Sequence, residues 1–144
     1  IGTWVHEVGA GWLMVTLDPS PVMVSLVQAA TALPIFLLAL PGGALADIID
    51  RRKYLIAVQL WMLLVALLLA VCTALGWTTA WVLLAFTFAL ACGAALNVPA
   101  WAATVHELVP KPQLQAAIAL NSLGVNLARA IGPAFAGVVV AVSG

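Results

Sequence analysis

Glu7 and Arg129 are the two residues of this 144-residue chain that carry a full charge inside a long apolar run. An ionised side chain at the centre of a bilayer costs about 2.5–3.5 kcal/mol on the gentlest insertion scale, so a charge kept there has a partner, a water-filled cavity or a task. Glu7 stands 11 residues before Asp18, and Arg129 stands 13 residues before Val142. At about 1.5 Å per residue, they lie roughly 16 and 20 Å below one surface, where long side chains can meet if their helices are neighbours. They form a candidate intramembrane ion pair. Separate exposure to a water-filled cavity is the alternative, and Glu7, adjacent to His6, could instead serve as a protonation site.

A second pattern is a row of small residues, Gly124, Ala128, Gly132 and Ala136, spaced by four on one face of a helix. Such a stripe lets another backbone approach closely, and packing is its default meaning. Gly132-Pro133 lies within it; the proline removes one intrahelical hydrogen bond and bends the helix, as a moving or gating element would require. Ala85, Ala89 and Gly93 form a weaker stripe of the same kind. The third pattern is the charged segment 47–53. Asp47 precedes Arg51 by four residues, an orientation that favours a helical pair, and Gly42-Gly43 comes just before it.

Other chemistries find no residues to carry them. His106-Glu107 lacks the second histidine of a metalloprotease helix, and no glycine-rich stretch ends in the Lys and Ser/Thr of a phosphate loop. No serine sits in a nucleophile elbow. Cys72 and Cys92 lie singly in apolar runs and read as small hydrophobes. No enzyme activity, metal or cofactor is expected. Five Lys and Arg balance five Asp and Glu, and there is no basic face of the kind nucleic acid needs.

The elements that must position these residues follow from composition. The chain is 65% hydrophobic and 7% charged, whereas a soluble domain has about 45–50% apolar and about 25% charged residues. The pattern predicts an all-α, polytopic membrane bundle of about five spans, near 1–17, 21–46, 54–75, 80–105 and 114–142, forming one partial transmembrane domain. Asp18-Pro19-Ser20-Pro21 and Gly76-Trp77-Thr78-Thr79 supply turns, and polar connections are expected at 47–53 and 106–113. Those two connections hold four Lys and Arg and the two turns none, which places 47–53 and 106–113 on the cytoplasmic side. Trp77 and Trp81 then stand at the outer interface. Because the chain begins with Ile1 and ends at Gly144, directly after an apolar run, it reads as a fragment of a longer protein.

At Gly43-Ala44-Leu45-Ala46-Asp47-Ile48-Ile49-Asp50-Arg51-Arg52-Lys53 the sequence resembles the signature loop of the major facilitator superfamily. Gly43, Leu45, Ala46, Asp47, Arg51 and Arg52 fall on that pattern, with Ile48 in place of a basic residue and Asp50 in place of a glycine. Gly132, Pro133 and Gly137 resemble the family's antiporter signature, with Ala128 and Ala136 as small-residue substitutes. Phe88 stands where the family has a fourth-span arginine. The turn at Asp18, the stretch Asn97-Val98-Pro99-Ala100 and the run Glu107-Leu108-Val109-Pro110 look like the branch of siderophore exporters and transmembrane secretion effectors.

The resemblance implies most of the first six-helix half of a transporter that works by alternating access, completed by a missing second half. Asp47, Arg51 and Arg52 would belong to its cytoplasmic gate, and the Gly132-Pro133 bend would help seal the central cavity. The expected function is proton-coupled efflux of a small amphipathic, siderophore- or drug-like compound across a plasma membrane, here the bacterial inner membrane. A non-transporting scaffold or assembly subunit built from the same helices is the alternative. The lipid bilayer and a small-molecule substrate are the expected partners.

Overall fold

A computed structural model describes residues 1–143. Among them are α1 (Gly2–Leu17), α2 (Pro21–Ile48), α3 (Arg51–Ala74), α4 (Ala80–Leu108), a 3₁₀ turn (Lys111–Gln113) and α5 (Leu114–Ser143), with no strand. Each boundary has a local cause. The Asp18 carboxylate accepts from the Ser20 amide at 3.0 Å, and Pro21 opens α2 where its missing N–H costs nothing. Asp50 caps α3 by accepting from the Arg52 and Lys53 amides at 3.0 and 3.4 Å. Beyond α3, Gly76 takes φ +71°, and the Trp77 and Gly76 amides donate back to the Cys72 and Thr73 carbonyls. That left-handed closure suits glycine because it has no Cβ to clash. Thr79 then caps α4 through the Val82 amide.

The polar connections are shorter than the residue types suggest. α2 runs to Ile48 and α3 begins at Arg51, so the charged segment 47–53 is helical except at Ile49 and Asp50. The expected loop 106–113 shrinks as well: α4 continues through His106 and Glu107 to Leu108. The His106 ring Nδ1 lies 2.8 Å from the Ala102 carbonyl one turn back, which keeps this polar end within helix geometry.

Four helices are long and apolar enough to cross a membrane: α2, α3, α4 and the stretch Lys111–Val142. α1, at 16 residues, is about 24 Å long and falls short of a full span on its own. α4 is the hub. It packs along α2 and α3, while α1 lies against α5 and touches α2 and α4. At one end of the bundle Ala10, Met14, Val27, Leu83 and Leu84 form a buried cluster. At the other end Ala46, Tyr54, Val58 and Ala100 form a second. Late α1 meets early α2 and early α4 in the first cluster, so successive helices run up and down.

Small residues set the spacing. A Cβ on Gly42 would stand 3.0 Å from Leu96 Cδ2, and one on Gly93 would stand 2.5 Å from Met62 Cγ. These two glycines let α2 and α3 close on α4. Three side-chain bonds tie α3 to α4 at successive depths: Tyr54 to the Leu96 carbonyl, the Gln59 amide to Asn97, and Trp61 Nε1 to the Ala89 carbonyl. Much of the remaining apolar surface is exposed, Phe36, Leu40, Leu64 and Leu68 among it, as a lipid-facing bundle requires.

Candidate functional site: a charge cluster at one end and a stacked arginine within the bundle

Arg51 draws three helices together at the end that holds Arg52, Lys53 and Lys111. Its guanidinium lies 2.8 Å from Glu107 on α4 and 3.7 Å from Asp47 on α2, and it donates to the Ala103 carbonyl at 3.3 Å. The Asp47 contact is the four-residue pair expected from sequence, completed across the short α2–α3 break. Glu107 was expected in a loop, and the extension of α4 brings it to Arg51 instead. The signal for it is an acidic residue four places after Ala103, on the face of α4 that meets Arg51.

The signature residues divide between packing and exposure. Ala46 is buried with Tyr54 and Ala100, Gly43 is half-buried with open space where a Cβ would go, and Leu45 is exposed. Arg52 is exposed and makes no ion pair among the described residues. A cavity of about 750 Å³ opens between these helices, lined by Asp47, Asp50, Arg51, Arg52, Thr104 and Glu107. Both carboxylates of the cluster keep about two-thirds of their side-chain surface open. Such pairs are worth about 1 kcal/mol or less each.

The helices carrying Glu7 and Arg129 are neighbours, but the two charges do not meet. Arg129 lies over the face of Trp4 instead, 4.9 Å from the ring centroid, and no Glu7–Arg129 ion pair within 4.0 Å occurs among the described residues. Sequence depth gave the level and missed the azimuth. Glu7 is half-buried and Arg129 exposed.

The small-residue stripe explains how Trp4 gets there. Gly132 and Ala136 are buried, and a Cβ on Gly132 would stand 2.6 Å from Trp4 Cβ and 3.4 Å from the Ile1 carbonyl oxygen. Gly124 and Gly137 have nothing within 4 Å of an added Cβ, so the stripe is buried at Gly132 and Ala136 and open at Gly124. Pro133 lies inside α5, which stays helical through it; the missing N–H deprives the Arg129 carbonyl of its usual partner.

A further cavity of about 500 Å³ lies between α1, α3 and α4, with Thr3, His6 and Gln59 among apolar walls of Met62, Leu69 and Leu90. The His6 ring Nε2 sits 3.4 Å from the Thr87 hydroxyl, across to α4. No group of three or more potential metal ligands occurs among the described residues.

The transmembrane secretion effector family matches residues 1–144. The chain belongs to this family of the major facilitator superfamily. It is 30% identical over 144 residues to the staphyloferrin A transporter of Staphylococcus aureus (strain NCTC 8325 / PS 47), covering 99% of this chain and 36% of the relative. It is 28% identical over 142 residues to the uncharacterized MFS-type transporter YfiS of Bacillus subtilis (strain 168), covering 98% of this chain and 33% of that protein. The chain thus spans about a third of the length of the curated relatives it matches. No solved structure matches it.

Within this family the helical signature segment and the Gly132-Pro133 segment sit in one bundle, at different levels. The bundle is part of a multi-pass membrane protein.

Proposed function

We propose that this chain forms most of the first helical half of a secondary transporter that exports a small amphipathic compound by alternating access, driven by proton entry. The five helices are its first five spans, the short α1 crossing where the bilayer thins to meet it, and the second half of the same protein closes the central cavity. The observation that carries this reading is the cluster of Arg51, Asp47 and Glu107, which joins α2, α3 and α4 through solvent-open ion pairs. A scaffold needs permanent contacts, whereas a gate needs contacts that break at little cost. The Lys and Arg at this end favour a cytoplasmic position for it, and the bacterial relatives favour a bacterial plasma membrane.

One relative is named for staphyloferrin A, so that compound is the first to test. In everted membrane vesicles containing the full-length protein, a proton gradient should drive staphyloferrin A uptake that a protonophore abolishes. Glu107→Gln should change the rate without loss of the protein from the membrane. Uptake that ignores the protonophore would remove proton coupling. Vesicles with full-length protein that accumulate neither staphyloferrin A nor a panel of amphipathic drugs would return the scaffold reading.

A further inference from the structure

α5 is built with three unlike faces. Ala128, Gly132 and Ala136 turn toward α1, and the last two are buried. Leu120, Leu123, Leu127, Ile131 and Val138 are exposed and apolar, as lipid contact requires. Ser122, Asn126 and Arg129 are exposed too, and at about 100° per residue they fall within a sector of roughly 60°, with Leu123 about 60° beyond Asn126 on one side and Ile118 and Val125 bordering Arg129 on the other. Gln115 continues the same line toward Lys111. A spanning helix keeps such a line for water or protein, because lipid gives polar groups no partner.

The hydrogen bonding of the line differs from residue to residue. The Asn126 side-chain amide donates one N–H to the Ser122 carbonyl at 2.9 Å, within its own helix. Among the described residues the Arg129 side chain has only the face of Trp4. An aromatic face attracts a cation but leaves the N–H edges of the guanidinium without acceptors. Among the described residues no carboxylate reaches it within 4.0 Å, Glu7 included, although Glu7 stands one turn along α1 from Trp4. A planar cation fixed by stacking, with its donor edges open, fits an oxyanion in forked geometry.

We infer that Ser122, Asn126 and Arg129 form a wall of a water-filled path and that Arg129 receives an oxyanion of the transported small molecule. This inference rests on the transport reading and adds the charge class of the substrate.

The test uses full-length protein with all its native cysteines, Cys72 and Cys92 among them, replaced by alanine, in phosphatidylcholine vesicles with reagent on both sides. Single cysteines are placed by S122C and N126C, with L123C and L127C as lipid-side controls. Each is reacted with a membrane-impermeant methanethiosulfonate bearing a sulfonate and with one bearing a trimethylammonium group, and rates are divided by those of a free thiol. S122C and N126C should react much faster than L123C and L127C. At N126C the sulfonate reagent should be favoured by about tenfold, the Coulomb effect of a nearby cation in a partly screened site. Arg129→Gln should abolish that preference and Arg129→Lys should keep most of it, which separates lost charge from a lost fold. If S122C and N126C are as unreactive as the controls, the line is covered by protein or lipid and the inference fails. If they react with no anion preference, or with one that survives Arg129→Gln, the oxyanion assignment fails. Labelling needs no transported compound, so this result and the vesicle uptake result are read independently.

Discussion

Arg51 lies 2.8 Å from Glu107 and 3.7 Å from Asp47 and donates to the Ala103 carbonyl, whereas Arg129 has a tryptophan face at 4.9 Å and no carboxylate within 4.0 Å among the described residues. The first arginine is satisfied by its own protein at the end of the bundle; the second is held in place with its donors open, at the level of an intramembrane helix contact. The same side chain is thus a fastener in one place and a receptor in the other. What separates the two is the supply of acceptors, since both sit on helices that close approaches keep in position. Arg51 can release its partners cheaply because they are solvated. Arg129 is held at the site by Trp4, which supplies no acceptor, so an incoming oxyanion displaces no carboxylate of the described residues.

The largest expected effect comes from removing the seam under Arg129. Gly132→Ala would put a Cβ 2.6 Å from Trp4 Cβ, an atom next to the backbone that cannot swing aside. Overpacking of this kind costs about 1–3 kcal/mol, and thermal unfolding of the full-length protein in detergent should register it as a clear loss. Gly124→Ala and Gly137→Ala, with open space around the added methyl, should leave the midpoint unchanged or slightly raised. Equal losses in all three would mean that the stripe packs along its whole length.

Next is the cap that sets where α3, and with it Arg51, begins. Asp50→Ala removes the acceptor for the Arg52 and Lys53 amides and should cost about 1 kcal/mol. Hydrogen exchange should show those two amides about fivefold less protected, with the far end of α3 unaffected. Glu107→Gln is smaller again. Arg51 keeps Asp47, and the lost pair is solvent-open, so the equilibrium of cytoplasmic closure should shift by no more than about fivefold, equivalent to about 1 kcal/mol. Reactivity of a cysteine placed by T104C, in the cavity beside the cluster, would report it. The smallest change is expected from Trp4→Leu, which removes a cation–π contact of about 0.5–1 kcal/mol and should lower the anion preference at N126C by about two- to fivefold while leaving the charge present.

Much of this arrangement was legible in the residues. Proline and glycine punctuation gave the helix order, the four-residue step from Asp47 to Arg51 gave their contact, and the small stripe marked the face of α5 that meets α1. The remainder depended on long-range geometry. Glu107 joins Arg51 across 56 positions because α4 keeps its helix through residues whose polarity suggested a loop. Glu7 and Trp4 are close in height, but counting residues fixes depth and not rotation about the axis, and it is Trp4 that turns toward α5. The stripe itself overstated the contact: each four-residue step rotates by about 40°, so Gly124 points about 80° away from Gly132.

The central claim is that the two arginines act on separate things, and one ratio tests it directly: the preference for the sulfonate over the ammonium thiol reagent at N126C, measured in otherwise matched Arg129→Gln and Arg51→Gln full-length proteins. The account predicts that Arg129→Gln brings the ratio to that of a free thiol, while Arg51→Gln changes the absolute rates of both reagents and leaves their ratio in place. A ratio that falls with Arg51→Gln, or holds with Arg129→Gln, would contradict it.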